Sequence, residues 1–259
     1  MVGGDGAGSP KVTMNPEIQA VLDGKSDGCI VCGDCLEVMR DWPDGCVGLV
    51  LTDVPYNEVN RGSNGLRNLD KGLADAAKFD WGVFGDMATL SSGSVYVWCG
   101  TEQVSRIRGS LVNDGMSTRL GFWWKTNPSV LNGQHLWLSA IECCVYGKWP
   151  KAVFNRHCAA PVWCGPVERE QTHPTQKPLW LMSELILASS NEDDLILDPF
   201  CGSGTTCVAA KKLGRRYIGI DISSDYCAIA RKRLEAVDTG VPVKEADNGQ
   251  MALFNGAKE

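Results

Sequence analysis

The stretch Asp194-Leu195-Ile196-Leu197-Asp198-Pro199-Phe200-Cys201-Gly202-Ser203-Gly204-Thr205-Thr206 constrains the fold more than any other. A short apolar run enters Asp-Pro, passes a tight bend containing two glycines, and leaves through a helix predicted to begin near Thr205. Parallel strands need a long crossover between them, usually helical, so this strand–turn–helix unit points to a parallel α/β sheet. The glycines also let a ligand approach the backbone closely, because they carry no Cβ. Seventeen positions past Gly204, the run Arg216-Tyr217-Ile218-Gly219-Ile220 ends in Asp221. An acid at such a strand end can accept hydrogen bonds from both ribose hydroxyls of a nucleoside.

Three nucleotide-binding readings compete for this segment. A phosphate-binding loop needs Gly-Lys-Ser/Thr, and Gly202-Ser203-Gly204-Thr205 has no lysine. A dinucleotide turn needs G-x-G-x-x-G, and its third glycine would be Cys207. The Asp198-Pro199-Phe200 lead-in instead sets a carboxylate and an aromatic ring before the turn. That pair suits a ligand with an ammonium group and an adenine but no phosphate, which describes S-adenosylmethionine.

Other short apolar runs bounded by Gly, Asp and Pro are predicted strands: Cys29–Cys32, Val47–Leu51, Ser94–Trp98, Gly121–Trp124 and Ile141–Tyr146. Helices are predicted over Leu179–Ser189, Thr205–Leu213 and Ser223–Val237. Alternating strands and helices give a mostly parallel sheet with helices on both faces. The expected organisation is a flexible lead-in over 1–27, one domain over 28–237, and a tail over 238–259. Residues 57–93 and 147–177 fit the alternation poorly and are expected to be recognition loops.

The run Val47–Leu51 delivers Thr52-Asp53-Val54-Pro55-Tyr56 to a sheet edge. Alone, Asp-x-Pro-Tyr is a common turn. Between it and the Asp198 segment, however, lies His173-Pro174-Thr175-Gln176-Lys177-Pro178. These three motifs, in this order, resemble the β-class DNA amino-methyltransferases, which methylate adenine N6 or cytosine N4. The resemblance runs from about residue 28 to residue 237, with echoes at Gly33-Asp34-Cys35 and Trp124-Lys125-Thr126-Asn127-Pro128.

The resemblance implies a Rossmann-like S-adenosylmethionine-dependent methyltransferase fold with circularly permuted motif order. It implies catalysis by Asp53, Val54, Pro55 and Tyr56, the Val54 carbonyl and the Asp53 carboxylate accepting hydrogen bonds from the target amine. It places the cofactor among Asp34, Thr175, Gln176, Lys177, Asp198, Phe200, Gly202, Ser203, Gly204, Thr205, Thr206 and Asp221. It sets Phe122, Trp123 and Trp124 beside the target base, which must be flipped out of the duplex to react. The family's usual tetrapeptide is Asp-Pro-Pro-Tyr, and here Val54 replaces the first proline; Pro55 still biases Val54 towards extended geometry.

The net charge of −6 argues against nucleic acid, but residues 146–180 carry Lys148, Lys151, Arg156, Arg169 and Lys177 against Glu168 and Glu170. With Lys125, Lys148, Lys151 and Arg156 are the expected DNA contacts. The expected partner is double-stranded DNA, a homodimer being left open. Cys29, Cys32 and Cys35, spaced x2 and x2, invite a zinc reading, but Cys29–Cys32 reads as a strand whose alternate side chains face opposite ways, with no nearby fourth ligand. The twelve cysteines read as buried thiols in a reducing compartment, with no metal expected. No apolar run reaches membrane-span length and the N-terminus lacks signal-peptide features, so a cytoplasmic location is expected. Adenine N6 is the expected target; the alternatives are cytosine N4 and a DNA-binding subunit that has lost catalysis.

Overall fold

In the computed structural model, described over residues 14–55, 80–130, 133–168 and 176–240, the apolar runs join one sheet. Its strands among the described residues are β1 (Gly28–Cys32), β2 (Val47–Asp53), β3 (Ser91–Cys99), β4 (Ser117–Lys125), β5 (Ile141–Lys148), β6 (Val162–Gly165), β7 (Leu195–Asp198) and β8 (Arg216–Asp221). The spatial order is β1-β8-β7-β2-β3-β5-β4-β6. Only β5 runs against its neighbours, β3 and β4; all other pairs are parallel.

The centre of the sheet is covered on both faces, which explains why β2 reads as continuously apolar instead of alternating. Val47, Leu49, Val50 and Leu51 are wholly buried. Val50 packs with Val95, Val97 and Ile218 beneath α1 (Pro16–Leu22), α2 (Cys35–Met39), α3 (Val83–Leu90) and α4 (Val104–Asn113). Leu49 and Leu51 pack on the other face with Tyr96, Trp98 and Ile196, beneath α5 (Leu179–Ser189), α6 (Thr205–Lys212) and α7 (Ser224–Thr239).

Strand direction brings the functional motifs together. Parallel pairing of β2 with β7 (Val50 opposite Leu197) and of β7 with β8 (Asp198 opposite Gly219) puts Asp53, Asp198 and Asp221 at one end of the sheet. Motif order is permuted relative to space: the strand that delivers Asp53 comes early in the chain yet lies beside β7, which comes late.

Several expected boundaries are corrected. The lead-in expected over 1–27 contains α1, capped by the Asn15 carboxamide oxygen, which accepts from the Glu17 N–H at 2.8 Å, with Pro16 at its first position. Ile18 and Val21 anchor α1 in the core, and Arg216 donates to the Val21 carbonyl at 2.6 Å. The stretch expected as a loop over 57–93 includes α3 and the first residues of β3, and that over 147–177 includes β6. α7 runs to Thr239, into the expected tail.

Candidate active site

The Gly-rich turn has the conformation its residues demand. Gly202 and Gly204 have φ of +50° and +81°, values that side chains disfavour. A Cβ on Gly204 would lie 2.7 Å from the Ala230 Cβ, so glycine there is also what lets α6 pack on α7; at Gly202 a Cβ would meet nothing within 4 Å. Asp221 holds this turn: its carboxylate accepts from the Gly202 N–H at 2.9 Å and the Ser223 N–H at 2.8 Å. The Asp221 carbonyl also accepts from Gly33 at 3.0 Å, and Asp34 beside it caps α2 through Leu36.

Asp198 is buried where β7 ends. One carboxylate oxygen accepts from the Thr52 hydroxyl at 2.7 Å and from the Phe200 N–H at 3.2 Å. Burial raises its pKa to about 6, the Thr206 and Thr52 hydroxyls and the Phe200 N–H opposing the rise. Phe200 is half-buried against the core. Ser203 donates to the Gln176 carboxamide oxygen at 3.2 Å, so the residue before Lys177 touches the turn. Arg233 of α7 staples the turn, donating to the Ser203 carbonyl at 2.6 Å, its hydroxyl at 3.0 Å and the Thr205 hydroxyl at 3.2 Å. Thr205 and Thr206 are buried and line the start of α6.

Asp53 ends β2, next to the β7 terminus. Its Oδ2 accepts from the Lys177 ammonium at 2.5 Å; Lys177 also meets Glu142 at 3.0 Å, and Glu142 meets Lys125 at 2.5 Å. Burial disfavours the charge on Lys177, but Asp53 and Glu142 outweigh it and raise its pKa above the ordinary range. For Glu142, burial acts upward, yet Lys177 and Lys125 bring the carboxyl down to about 2.

Val54 is buried, and its N–H donates to the Trp98 carbonyl at 3.1 Å, a bond that the family's usual proline cannot make. The Pro55 carbonyl accepts from the buried Gln103 carboxamide at 3.0 Å, while Gln103 accepts from the Gly100 N–H at 2.8 Å. The turn after Asp53 is therefore fixed from β3 and the segment following it.

The structure places the other expected contact residues that it describes as follows. Lys177, assigned to the cofactor, lies against Asp53. Trp123, assigned to the target base, is core: it is 2% exposed and its indole N–H donates to Gly165 at 3.1 Å, whereas Trp124, pointing to the opposite face, is 55% exposed. Lys125 spends its charge on Glu142. Lys148, expected on DNA, pairs with Ser94 and Ser117 at the far end of the sheet. That is about 13 Å along the strands from the Asp53 level, at roughly 3.3 Å per residue. Lys151 follows it there, exposed, and Arg156 pairs with Glu184 at 2.9 Å on α5. Tyr56, Thr175 and His173 lie outside the described residues. Thr52, Gln103, Glu142 and Arg233 were not anticipated, because their partners are distant in sequence.

A Gly-rich turn clamped by an acid, beside a second strand-end acid at the carboxyl edge of a parallel sheet, is the nucleoside-binding arrangement of the Rossmann-like α/β class. A family model described as DNA methylase matches residues 132–232. The chain is 31% identical over 249 residues to the type II methyltransferase M.HinfI of Haemophilus influenzae, covering 80% of this chain and 68% of the relative. An 80-residue stretch is 58% identical to the type II methyltransferase M2.DpnII of Streptococcus pneumoniae, which is 30% of that relative's length. The solved M1.HpyAVI-SAM complex superposes with a TM-score of 0.64 at 27% identity, covering 80% of this chain and 99% of that one. The chain belongs to the S-adenosylmethionine-dependent DNA amino-methyltransferases of the N6-adenine/N4-cytosine class.

Proposed function

We propose that the protein transfers a methyl group from S-adenosylmethionine to the N6 amino group of adenine in double-stranded DNA. The observation that carries this reading is the 2.7 Å hydrogen bond from Thr52, at the end of β2, to Asp198, at the end of β7. It ties the strand that presents Asp53 to the strand that opens the Gly-rich turn, so acceptor and donor of a methyl group would meet at one edge.

The residues present fit the cofactor. Asp198 offers a buried carboxylate to an ammonium, and Asp221 offers acceptor capacity to ribose hydroxyls, since a carboxylate has about four lone-pair sites. Gly202 leaves open space where a side chain would stand. Phe200, Asp34 and Gln176 flank the turn, and the turn carries no lysine for a phosphate. When bound, this cofactor supplies a methyl group on a sulfonium, an electrophile for an exocyclic nitrogen.

The chain's own residues deal with the nitrogen, whose lone pair is delocalised into the base. The Asp53 carboxylate and the Val54 carbonyl accept hydrogen bonds from the amine, favouring a tetrahedral nitrogen with a localised lone pair. Gln103 keeps the turn, and with it the Val54 carbonyl, in place. Orientation of the two reactants then supplies much of the rate. Duplex DNA would approach the Asp53 end of the sheet. There Trp124 is 55% exposed, and Trp137, in the β4–β5 connection, is wholly exposed and able to stack on bases.

The test is nucleoside digestion and mass spectrometry of DNA incubated with protein and cofactor. N6-methyladenine is expected. N4-methylcytosine alone would replace the base assignment and keep the mechanism; no methylated nucleoside, with cofactor bound, would favour a DNA-binding subunit without catalysis.

A further inference from the structure

We propose that Glu142 is a positioning residue for methyl transfer, acting on Asp53 through Lys177. The inference rests on the reading that Asp53 grips the target amine. Four charged side chains from four segments form one chain: Asp53 from β2, Lys177 from the residues before α5, Glu142 from β5 and Lys125 from β4. The links measure 2.5, 3.0 and 2.5 Å. The Lys177 side chain is 4% exposed, so its ammonium is placed by these partners and not by water. Two acids and two bases sum to zero, which is how such a cluster can sit at a half-buried site at all.

The division of the lysine's donors decides what Asp53 can do. An ammonium has three N–H donors and a strong field. Shared between two carboxylates, it holds Asp53 in one orientation while Glu142 offsets part of its charge. Without Glu142, the same ammonium would draw the Asp53 carboxylate more tightly and make it a weaker acceptor for the amine. Lys125 completes the arrangement by holding Glu142 from its other oxygen, so Glu142 does not swing away.

This arrangement predicts opposite electrostatic effects from two neighbouring substitutions, which a purely structural tie between β5 and α5 would not produce. Asp53 also faces Asp198 of β7 and the Cys99 and Cys144 thiols of β3 and β5, which these variants keep. Lys177→Met removes a cation from beside Asp53, so the acid limb of the kcat–pH profile moves to higher pH. Glu142→Gln removes an anion and leaves the cation, so the limb moves to lower pH. Glu142→Gln is also expected to lower kcat by about tenfold, with KM for DNA and cofactor Kd within about twofold of wild type. In a Lys177→Met background the same substitution is expected to change kcat by less than about twofold, because its route to Asp53 is already cut.

The experiment is steady-state methylation of duplex DNA by the four proteins of this cycle across pH, with calorimetric cofactor binding and melting curves for each. Glu142→Gln with wild-type kcat, limbs that move the same way, or an undiminished loss in the Lys177→Met background would each overturn the proposal. If Glu142→Gln does not fold, Lys125→Met reads the same route: it strips the cation from Glu142, and the limb is expected to move up. An unmoved limb overturns the positioning role. A wild type that binds cofactor and methylates no base would sink the functional reading together with this one, whereas an active wild type matched by Glu142→Gln sinks only this one.

Discussion

Replacing Asp198 with Asn should make the ligand-free protein more stable and, at the same time, poor at holding its cofactor. The carboxyl is buried, and its pKa stands at about 6 against 3.8 for the free side chain. The charged form is therefore disfavoured in the folded state by about two pKa units, or on the order of 3 kcal/mol at neutral pH, at 1.36 kcal/mol per unit. Asparagine keeps the oxygen that accepts from Thr52 and Phe200 while removing the charge. The sign follows from proton binding. As pH falls, the folded wild type takes up a proton near 6 and the unfolded chain only near 3.8, so this group stabilises the fold progressively between those values. The variant has no such dependence. Its advantage should be greatest above pH 6 and vanish below about pH 4. Denaturant unfolding at pH 7.5 and 4.5 measures the gap directly. Repeating the pH 7.5 series with saturating S-adenosylmethionine should invert the ranking, because a ligand that binds only the folded state adds RT ln(1 + [L]/Kd) and the variant lacks the partner for its ammonium. A variant no more stable than wild type at pH 7.5, or a gap unchanged at pH 4.5, would refute the argument.

Asp221→Ala should weaken cofactor binding by about 1–3 kcal/mol, the usual cost of stranding polar partners, because it frees the Gly202 and Ser223 N–H groups as well as removing the ribose acceptor; unchanged affinity by calorimetry would remove Asp221 from the site. Gly204→Ala should lower stability by 1 kcal/mol or more, since it combines φ of +81° with a 2.7 Å approach to Ala230, and a melting curve matching wild type would contradict it. The two adjacent tryptophans should separate cleanly. Trp123→Ala is expected to cost about 3–5 kcal/mol of stability, as for other buried aromatics, while Trp124→Ala leaves unfolding nearly unchanged and weakens duplex binding in a gel-shift titration.

The strand-end acids were legible because three motifs in one order, each with an apolar run or helix start beside it, gave the terminal Asp a meaning that none had alone. Asp53, Asp198 and Asp221 each end an apolar run, and sheet order only had to bring the strands side by side. Glycines at 202 and 204 were legible for a local reason, their positive φ. What the sequence hid was partnership across distance. Lys177 sits one residue from Gln176, which does touch the Gly-rich turn, yet its side chain turns to carboxylates 124 residues and 35 residues away. Lys148 and Lys151 looked like part of a basic interface because charge was counted along the chain. The direction of β5 decides which end of the sheet they occupy, and charge counting contains no direction. Trp123 and Trp124 could not be told apart by composition, only by the alternation of β4 once its buried face was known. Helix α1 escaped notice because seven residues hold too few turns for a periodic signal, although Asn15-Pro16 is a helix start in its own right.

The permuted order of the motifs also sets when, during synthesis, the site can exist. The bond between Thr52 and Asp198 spans 146 residues, and the Arg216 contact that seats α1 spans 195. β2 is made early, but its neighbour β7 emerges only after β3, β4, β5 and β6. Until then one edge of the buried strand β2 lacks its native neighbour, and the Asp53 carboxylate stands without the strand that opens the Gly-rich turn. Contacts this non-local make for slow folding, because loop closure must precede any gain from pairing. A ribosome that releases the chain before β7 therefore releases no partial enzyme, only an unpaired strand edge open to association with other chains.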